Sequence, residues 1–428
     1  MNRIMTSDDS KLSSKDLDEM LDISNLSYVA EDDANLVVER TQKIQYADSP
    51  SYNPNSNNLI IVNWQTGEDY ISGRDSSLRF TIAPTSTAGA VFSNVASFGN
   101  GSVLNIFKRV RVVSRSGVVI NDIDESGLLN ALKTKYEHTY EWRTQQQGEL
   151  LGFGDTFGGP TSATASQYYD VPLKCLAGIF DLDMLLPSML CRGLRLEITL
   201  APASEVFTQT TDTSNVVGYD ITEVQCNLDS YRLSSGAVNK LNDLSKSSAG
   251  LVVQYHDYEN SQFTKLNGAT NFSAEVRKVA SMANQVWAVL RDESTGLAGD
   301  DFKTSSAIDN FQYRIGSLYL PVQDVLAKGV GGAPQDRLRQ YYQQVNYVLG
   351  RLNNGREMGV RFSEFANNLI SPATIDRYWL KNSGLAINNS TTLTWSMSGN
   401  SGQARRVDIF LKHTRSLTIF LNNLVKSE

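Results

Sequence analysis

Histidine and cysteine are scarce in this chain of 428 residues, with three of each. His138, His256 and His413 lie far apart in sequence, which leaves zinc and cupin-type metal sites and Ser-His-Asp hydrolysis without their usual ligands and base. Cys175, Cys191 and Cys226 are odd in number and not at metal-ligand spacing, so they are expected to be buried, reduced thiols. Nowhere do about 18 apolar residues run together, the length a transmembrane helix needs. Residues 1–16 lack the apolar core of a secretory signal. Glycine (30) and proline (10) are too few for a collagen or a Pro-rich linker protein. Basic charge is also short: 39 Lys and Arg against 46 Asp and Glu, a net −7. Residues 1–50 hold 11 acids and 5 bases, so −6 of that total sits in the leader and the rest is nearly neutral. Such a body is no electrostatic trap for nucleic acid, and no sequence-specific nucleic-acid binding is expected.

What is present points to sheets. Apolar residues are 41% and aromatics 9%, which excludes disorder of the whole chain. Ser (46), Thr (28) and Asn (33) make up 25% of the sequence, a bias toward turns and exposed strand faces. Alternation is clearest where Leu194, Leu196, Ile198 and Leu200 oppose Gly193, Arg195, Glu197 and Thr199. It recurs at Leu78–Ile82, at Leu104–Val113 (with Lys108 as an exception on the apolar face) and at Val224–Leu228, and predicts half-buried antiparallel strands. Further strands are expected at 251–258, 272–279, 286–290, 311–320, 391–397 and 407–421. Helical spacing is confined to weak signals at 16–26 and to 122–135, 235–244 and 335–349, the last led by Pro334 and closed by Gly350. Long polar connections occupy 84–102, 144–168, 202–219 and 381–403, the kind that form functional or interface loops. The expected division is an acidic arm over 1–45, a first sandwich over 46–234, a helical link over 235–248 and a second sandwich over 249–428.

Each motif that could carry chemistry lacks a required part. Asp122-Ile-Asp124-Glu125-Ser126-Gly127 opens like a calcium loop, but position twelve is Lys133 instead of a bidentate Glu. The acids read better as the start of a helix, where its dipole favours them. Gly152, Gly154, Gly158 and Gly159 have the wrong spacing for a dinucleotide fingerprint and read as a loop. Lys328 to Pro334 lacks the Lys-Ser/Thr pair of a phosphate loop, and no Gly-x-Ser-x-Gly elbow occurs. Arg109, Arg111 and Arg115 share a face if 107–115 is a strand. Phosphate contact and a charged solvent or subunit-facing surface are the two readings, and the lack of a surrounding basic field favours the second. No catalytic, cofactor-binding or metal-ligating residue is therefore assigned.

Pro172–Phe180, Leu185–Leu190 and Gly193–Leu200 together resemble the first-roll core of double jelly-roll major capsid proteins of the tectivirus–adenovirus lineage, most like those of polinton-like viruses and virophages. Phe311-Gln-Tyr-Arg-Ile-Gly-Ser-Leu-Tyr-Leu-Pro321 resembles the second-roll segment, and Asn58–Ile82 the opening of the first roll. The resemblance covers residues 50–428 as an order of elements. It implies an all-β fold of two consecutive eight-stranded jelly rolls with a few short helices and long loops. It also implies a homotrimer that acts as a six-cornered capsomer in an icosahedral virion, meeting neighbouring capsomers, penton proteins and minor or cement proteins, with no cofactor and no enzyme activity. Two other readings stay open on the sequence: a two-sandwich carbohydrate-binding or adhesin protein, and a β-rich glycoside hydrolase using Asp181 with Asp183, or Glu137 with Glu141.

Overall fold

Alternation becomes antiparallel sheet throughout the computed structural model, which describes residues 36–86, 96–98, 102–136, 148–152, 156–157, 166–209, 216–246, 250–292, 308–326, 341, 343, 370–375, 384–388, 391–399, 404–420 and 425–427. The first set of strands is β1 (Val37–Tyr46), β2 (Leu59–Asn63), β3 (Tyr70–Ser86), β4 (Phe107–Val113), β5 (Val119–Asp124), β6 (Gln167–Pro172), β7 (Leu185–Leu186), β8 (Arg195–Leu200) and β9 (Val216–Leu233). They form two sheets, ordered β1-β9-β3-β7 and β2-β8-β4-β5, with β6 also paired to β3. Helix α1 (Ser126–Tyr136) follows β5, and α2 (Ser235–Lys246) leads out of β9.

After α2 the pattern repeats. β10 (Leu251–Lys265), β11 (Asn271–Val276), β12 (Ala280–Asp292), β13 (Asn310–Ile315), β14 (Leu318–Leu326), β15 (Ile370–Thr374), β16 (Leu393–Ser398) and β17 (Arg405–Ile419) make sheets ordered β10-β17-β12-β15 and β11-β16-β13-β14. In both sets the first strand pairs with the last, the second with the next to last, and so inward. With β6 counted as an extra strand on β3, each set is therefore a jelly roll built on two main rows of four strands, and the chain is an all-β double jelly roll.

The cores interlock. Leu251, Val253, Tyr255, Leu417 and Ile419, from strands of the second roll, belong to the cluster built on Trp64, Phe80, Phe107 and Phe180. In return Leu128, Leu129 and Leu132 of α1 belong to the cluster of Trp287, Tyr313 and Trp395. The apolar stripe read at 122–135 is thus real, but it serves the other roll.

Several expectations need correction. The arm does not extend to residue 45, because Val37–Tyr46 is β1, paired along β9 from Val37↔Leu233 to Tyr46↔Gln225. Asp122 and Asp124 lie in β5, not in a helix: Asp122 sits opposite Arg111 of β4, and cross-strand charge pairing competes successfully with helix capping. The helix begins only at Ser126. β4 ends at Val113, so Arg115 occupies the following turn. The single strand expected at 311–320 is a hairpin, turned at Gly316, whose φ of +58° suits glycine. Three of the four long connections contribute short strands, Phe207–Gln209, Ala96–Phe98 and Thr156–Phe157, to one small sheet. There Phe98 stacks on Phe207 at 5.5 Å, which gives that sheet an aromatic core. The helical signal at 16–26 lies outside the described residues. So does most of 335–349, except that Tyr341 is helical and buried.

Candidate functional site: the seam between the rolls and the uncovered edges

Two polar clusters join the rolls. At the first, β5 and the turn Gly178–Phe180 lie on β10. Tyr255 Oη donates to the Ile120 carbonyl at 2.7 Å, and Asn121 Nδ2 donates to Asp257 Oδ1 at 2.7 Å. Arg415 Nη1 donates both to the Ile120 carbonyl (2.8 Å) and to Asp257 Oδ2 (3.0 Å). Gly178 is obligatory, since a Cβ there would come within 1.7 Å of the His256 carbonyl oxygen. Burial pushes the Asp257 carboxyl up, against the opposing pull of His413, Arg415 and the Asn121 amide. Burial also pushes the His413 imidazole down, and Asp257 and Glu259 only partly restore it.

The second cluster surrounds Glu125, which is 4% exposed and takes φ +54° between β5 and α1. Its carboxylate meets Arg406 Nη2 at 2.7 Å, Arg291 Nη2 at 3.2 Å and Lys108 Nζ at 3.7 Å. Arg291 also binds the fully buried Asp408 at 2.7 Å, and Lys108 binds Glu205 at 3.1 Å. Three cations thus balance three anions across the seam. Burial raises the Glu125 carboxyl, but Arg291, Arg406 and Lys108 together outweigh it and hold the group below its ordinary value. Carboxylates tied up in this way serve as pins between domains.

Among the described residues, both inner faces of this contact are covered. No residue of Leu251–Tyr258 on β10 or of Val119–Asp124 on β5 is exposed. Among the described residues, the strands at the same places in the opposite rolls leave apolar side chains exposed. β1 exposes Val38 (63%), Ile44 (47%) and Tyr46 (71%), and β14 exposes Tyr319 (45%) and Val322 (84%).

The motifs weighed on sequence grounds fall elsewhere. Arg109 forms a two-pronged pair with Asp122, both bonds at 2.7 Å, and Arg111 binds Glu197 at 2.9 Å, so neither arginine awaits a phosphate. Lys133 sits 5.4 Å from the Tyr258 ring centre. Asp181 and Asp183 are both exposed and share the exposed Arg74. Cys191 and Cys226 are buried free thiols and Cys175 is a partly buried one; burial pushes the Cys226 thiol up to about 12. Glu137, Glu141, His138, Gly154, Gly158, Gly159 and the 328–334 turn lie outside the described residues. Among the described residues, no three His, Cys, Asp or Glu side chains gather as a metal site would require. Sequence reasoning missed Glu125, Arg291, Arg406 and Asp408 as a unit. The available signal was a basic residue inside each of three apolar strands: Lys108, Arg291 and Arg406.

No family model matches the sequence, and no curated protein matches it. Solved structures do match in shape. A Faustovirus major capsid protein superposes with a TM-score of 0.63 at 10% identity, over 89% of this chain and 90% of its own. A quasi-atomic model of the PBCV-1 virus capsid gives 0.60 at 10%, over 91% and 96%. The Sputnik virophage structure gives 0.55 at 12%, over 94% and 90%. At such identities what is shared is the backbone plan: this chain has the double jelly-roll fold of these viral capsid structures.

Proposed function

We propose that the chain is a viral major capsid protein, of the kind found in polinton-like viruses and virophages, which forms homotrimeric capsomers that tile an icosahedral shell. The observation that carries this reading is the locking of two like-wired rolls into one block by interlocked cores and two buried polar clusters. Three such blocks present six roll-sized corners, and a flat facet of six-cornered units needs only one repeated contact. The likeness to capsid structures over about nine-tenths of the chain supports it.

In this reading the first roll begins at β1, the link is 235–248 and the second roll is 249–428. Residues 1–35 carry the whole −6 of the leader and extend to neighbouring capsomers or to basic minor shell proteins. The protein is neither an enzyme nor a cofactor carrier, and its place is the virion shell, beside penton and cement proteins. Expression of the full chain followed by negative-stain imaging tests this. Trimers and curved or closed shells are expected, and a protein that stays monomeric at every concentration overturns the reading.

A further inference from the structure

We propose that the second roll carries a pocket for a phosphate group, formed where the turn after β11 meets the chain leading into β16. The inference goes beyond the capsomer reading and does not depend on it, because each chain carries its own pocket. The cavity measures about 200 Å³ and is lined by Glu275, Val276, Arg277, Lys278, Asn388 and Thr392. Strand pairing holds its walls. Val276, the last residue of β11, lies opposite Leu393, the first of β16. Ile387 pairs with Ala280 at the start of β12, and Asn388 bridges to Thr391.

The two cations of this pocket differ from those that pin the rolls together. Arg406 meets Glu125 at 2.7 Å, Arg291 meets Asp408 at 2.7 Å and Arg415 meets Asp257 at 3.0 Å. Arg277 instead stands 3.6 Å from Glu275, and Lys278 stands 3.5 Å from Glu259, both beyond the length of a charge-assisted hydrogen bond. Their side chains are 83% and 44% exposed. Loose, exposed pairs of this kind hold little energy, so an incoming anion displaces them at small cost. A guanidinium, an ammonium, an amide and a hydroxyl on one concave surface form a donor set suited to phosphate oxygens. Glu275 opposes two cations with one charge, which leaves the lining positive.

Lys278 also connects the pocket to the seam. Its partner Glu259 lies 4.0 Å from His413 Nε2. Burial holds the His413 imidazole down, Asp257 and Glu259 of β10 draw it up, and Arg415 of β17 and Lys278 press it lower. On the other side β12 faces it with the uncharged Ala283. An anion on Lys278 cancels that residue's push, so His413 takes up its proton at a higher pH when the pocket is filled.

Isothermal titration calorimetry of the full chain with inorganic phosphate tests the site. Flotation with phosphatidylcholine vesicles, with and without phosphatidic acid, tests a lipid headgroup as the source. Uptake of free phosphate is expected, weakened about tenfold or more by Arg277→Gln or Lys278→Gln and retained by Arg277→Lys. Arg192→Gln, which removes an exposed cation from the first roll, should change nothing. All three side chains are exposed, so each variant should melt with the parent. In an NMR titration of the imidazoles, phosphate should raise the His413 midpoint in the parent and not in Lys278→Gln. Retention on phosphatidic acid vesicles alone, weakened by the same two variants, also upholds the site and assigns it to a lipid headgroup. No uptake in either arm, equal uptake by the parent and both variants, or bound phosphate with an unmoved His413 overturns the inference and leaves the capsomer reading intact.

Discussion

Replacing Glu125 with Gln removes one charge from the centre of the seam and leaves its shape almost unchanged. Glu125 takes φ +54°, a conformation that costs Gln and Glu alike, so strain cancels and the difference reports the charge. In the parent, the Glu125 side chain is 5% exposed and faces Arg291 (4%) and Arg406 (23%). Asp408 alone would then have to balance both guanidinium groups. Breaking a buried ion pair by removing one partner costs about 3–5 kcal/mol, a large share of the roughly 5–15 kcal/mol that holds a typical protein folded. Urea unfolding at neutral pH should show a loss of that size. Arg192→Ala, which breaks the exposed pair with Glu68, should cost less than about 1 kcal/mol. Acid titration supplies an independent check. The Glu125 carboxyl is depressed when folded, so its contribution is full above the ordinary value of 4.5 and is lost as pH falls through the lower folded value. The parent should weaken in that window and Glu125→Gln should not. A cost below about 1 kcal/mol, or parallel acid profiles, would refute the idea that this cluster pins the rolls together.

Four other outcomes follow from the same structure. Leu196→Asp or Ile198→Asp, at fully buried positions of β8, should abolish soluble folding because an unpaired carboxylate in a core costs several kcal/mol, whereas Arg195→Ala and Thr199→Ala should remain soluble on expression. Gly178→Ala should destabilise the seam, since its Cβ would meet backbone and not a movable side chain, and limited proteolysis should then cleave between the rolls. The unfolded imidazole of His413 takes up a proton near 6.5 and the buried one only at lower pH, so acidification through that window loads protons onto the unfolded chain and lowers stability. Asp257, raised by burial, titrates with the opposite sign, so the contribution of His413 is read as the flatter urea-midpoint profile of His413→Gln relative to the parent. Removal of residues 1–35 should leave trimers intact and weaken their assembly into shells, whereas removal of 1–46 also strips β1 from β9 and should lower the melting temperature.

The sequence made some of this legible and concealed the rest for identifiable reasons. Strong alternation with one dry face, as in Arg195–Leu200, declares a strand because burial fixes its phase. Even there the alternation turns Glu197 toward water, whereas it is buried, held by Arg111 and Arg195. β1 was hidden by its charged neighbours, and its weak alternation reflects a strand with only one side covered. β5 reads locally as a helix start because Asp122 and Asp124 suit either a helix N-terminus or a cross-strand partner for arginine, and only the neighbouring strand decides. Glu125 and Arg406 are 281 positions apart, and no local pattern joins them. Gly178 looks like any turn glycine until the His256 carbonyl is set against it.

Cryo-electron microscopy of the purified full-length assembly tests the central claim most directly. Threefold particles with six roll-sized lobes are expected. Particles with a single chain, or with a twofold contact between like rolls, would contradict it.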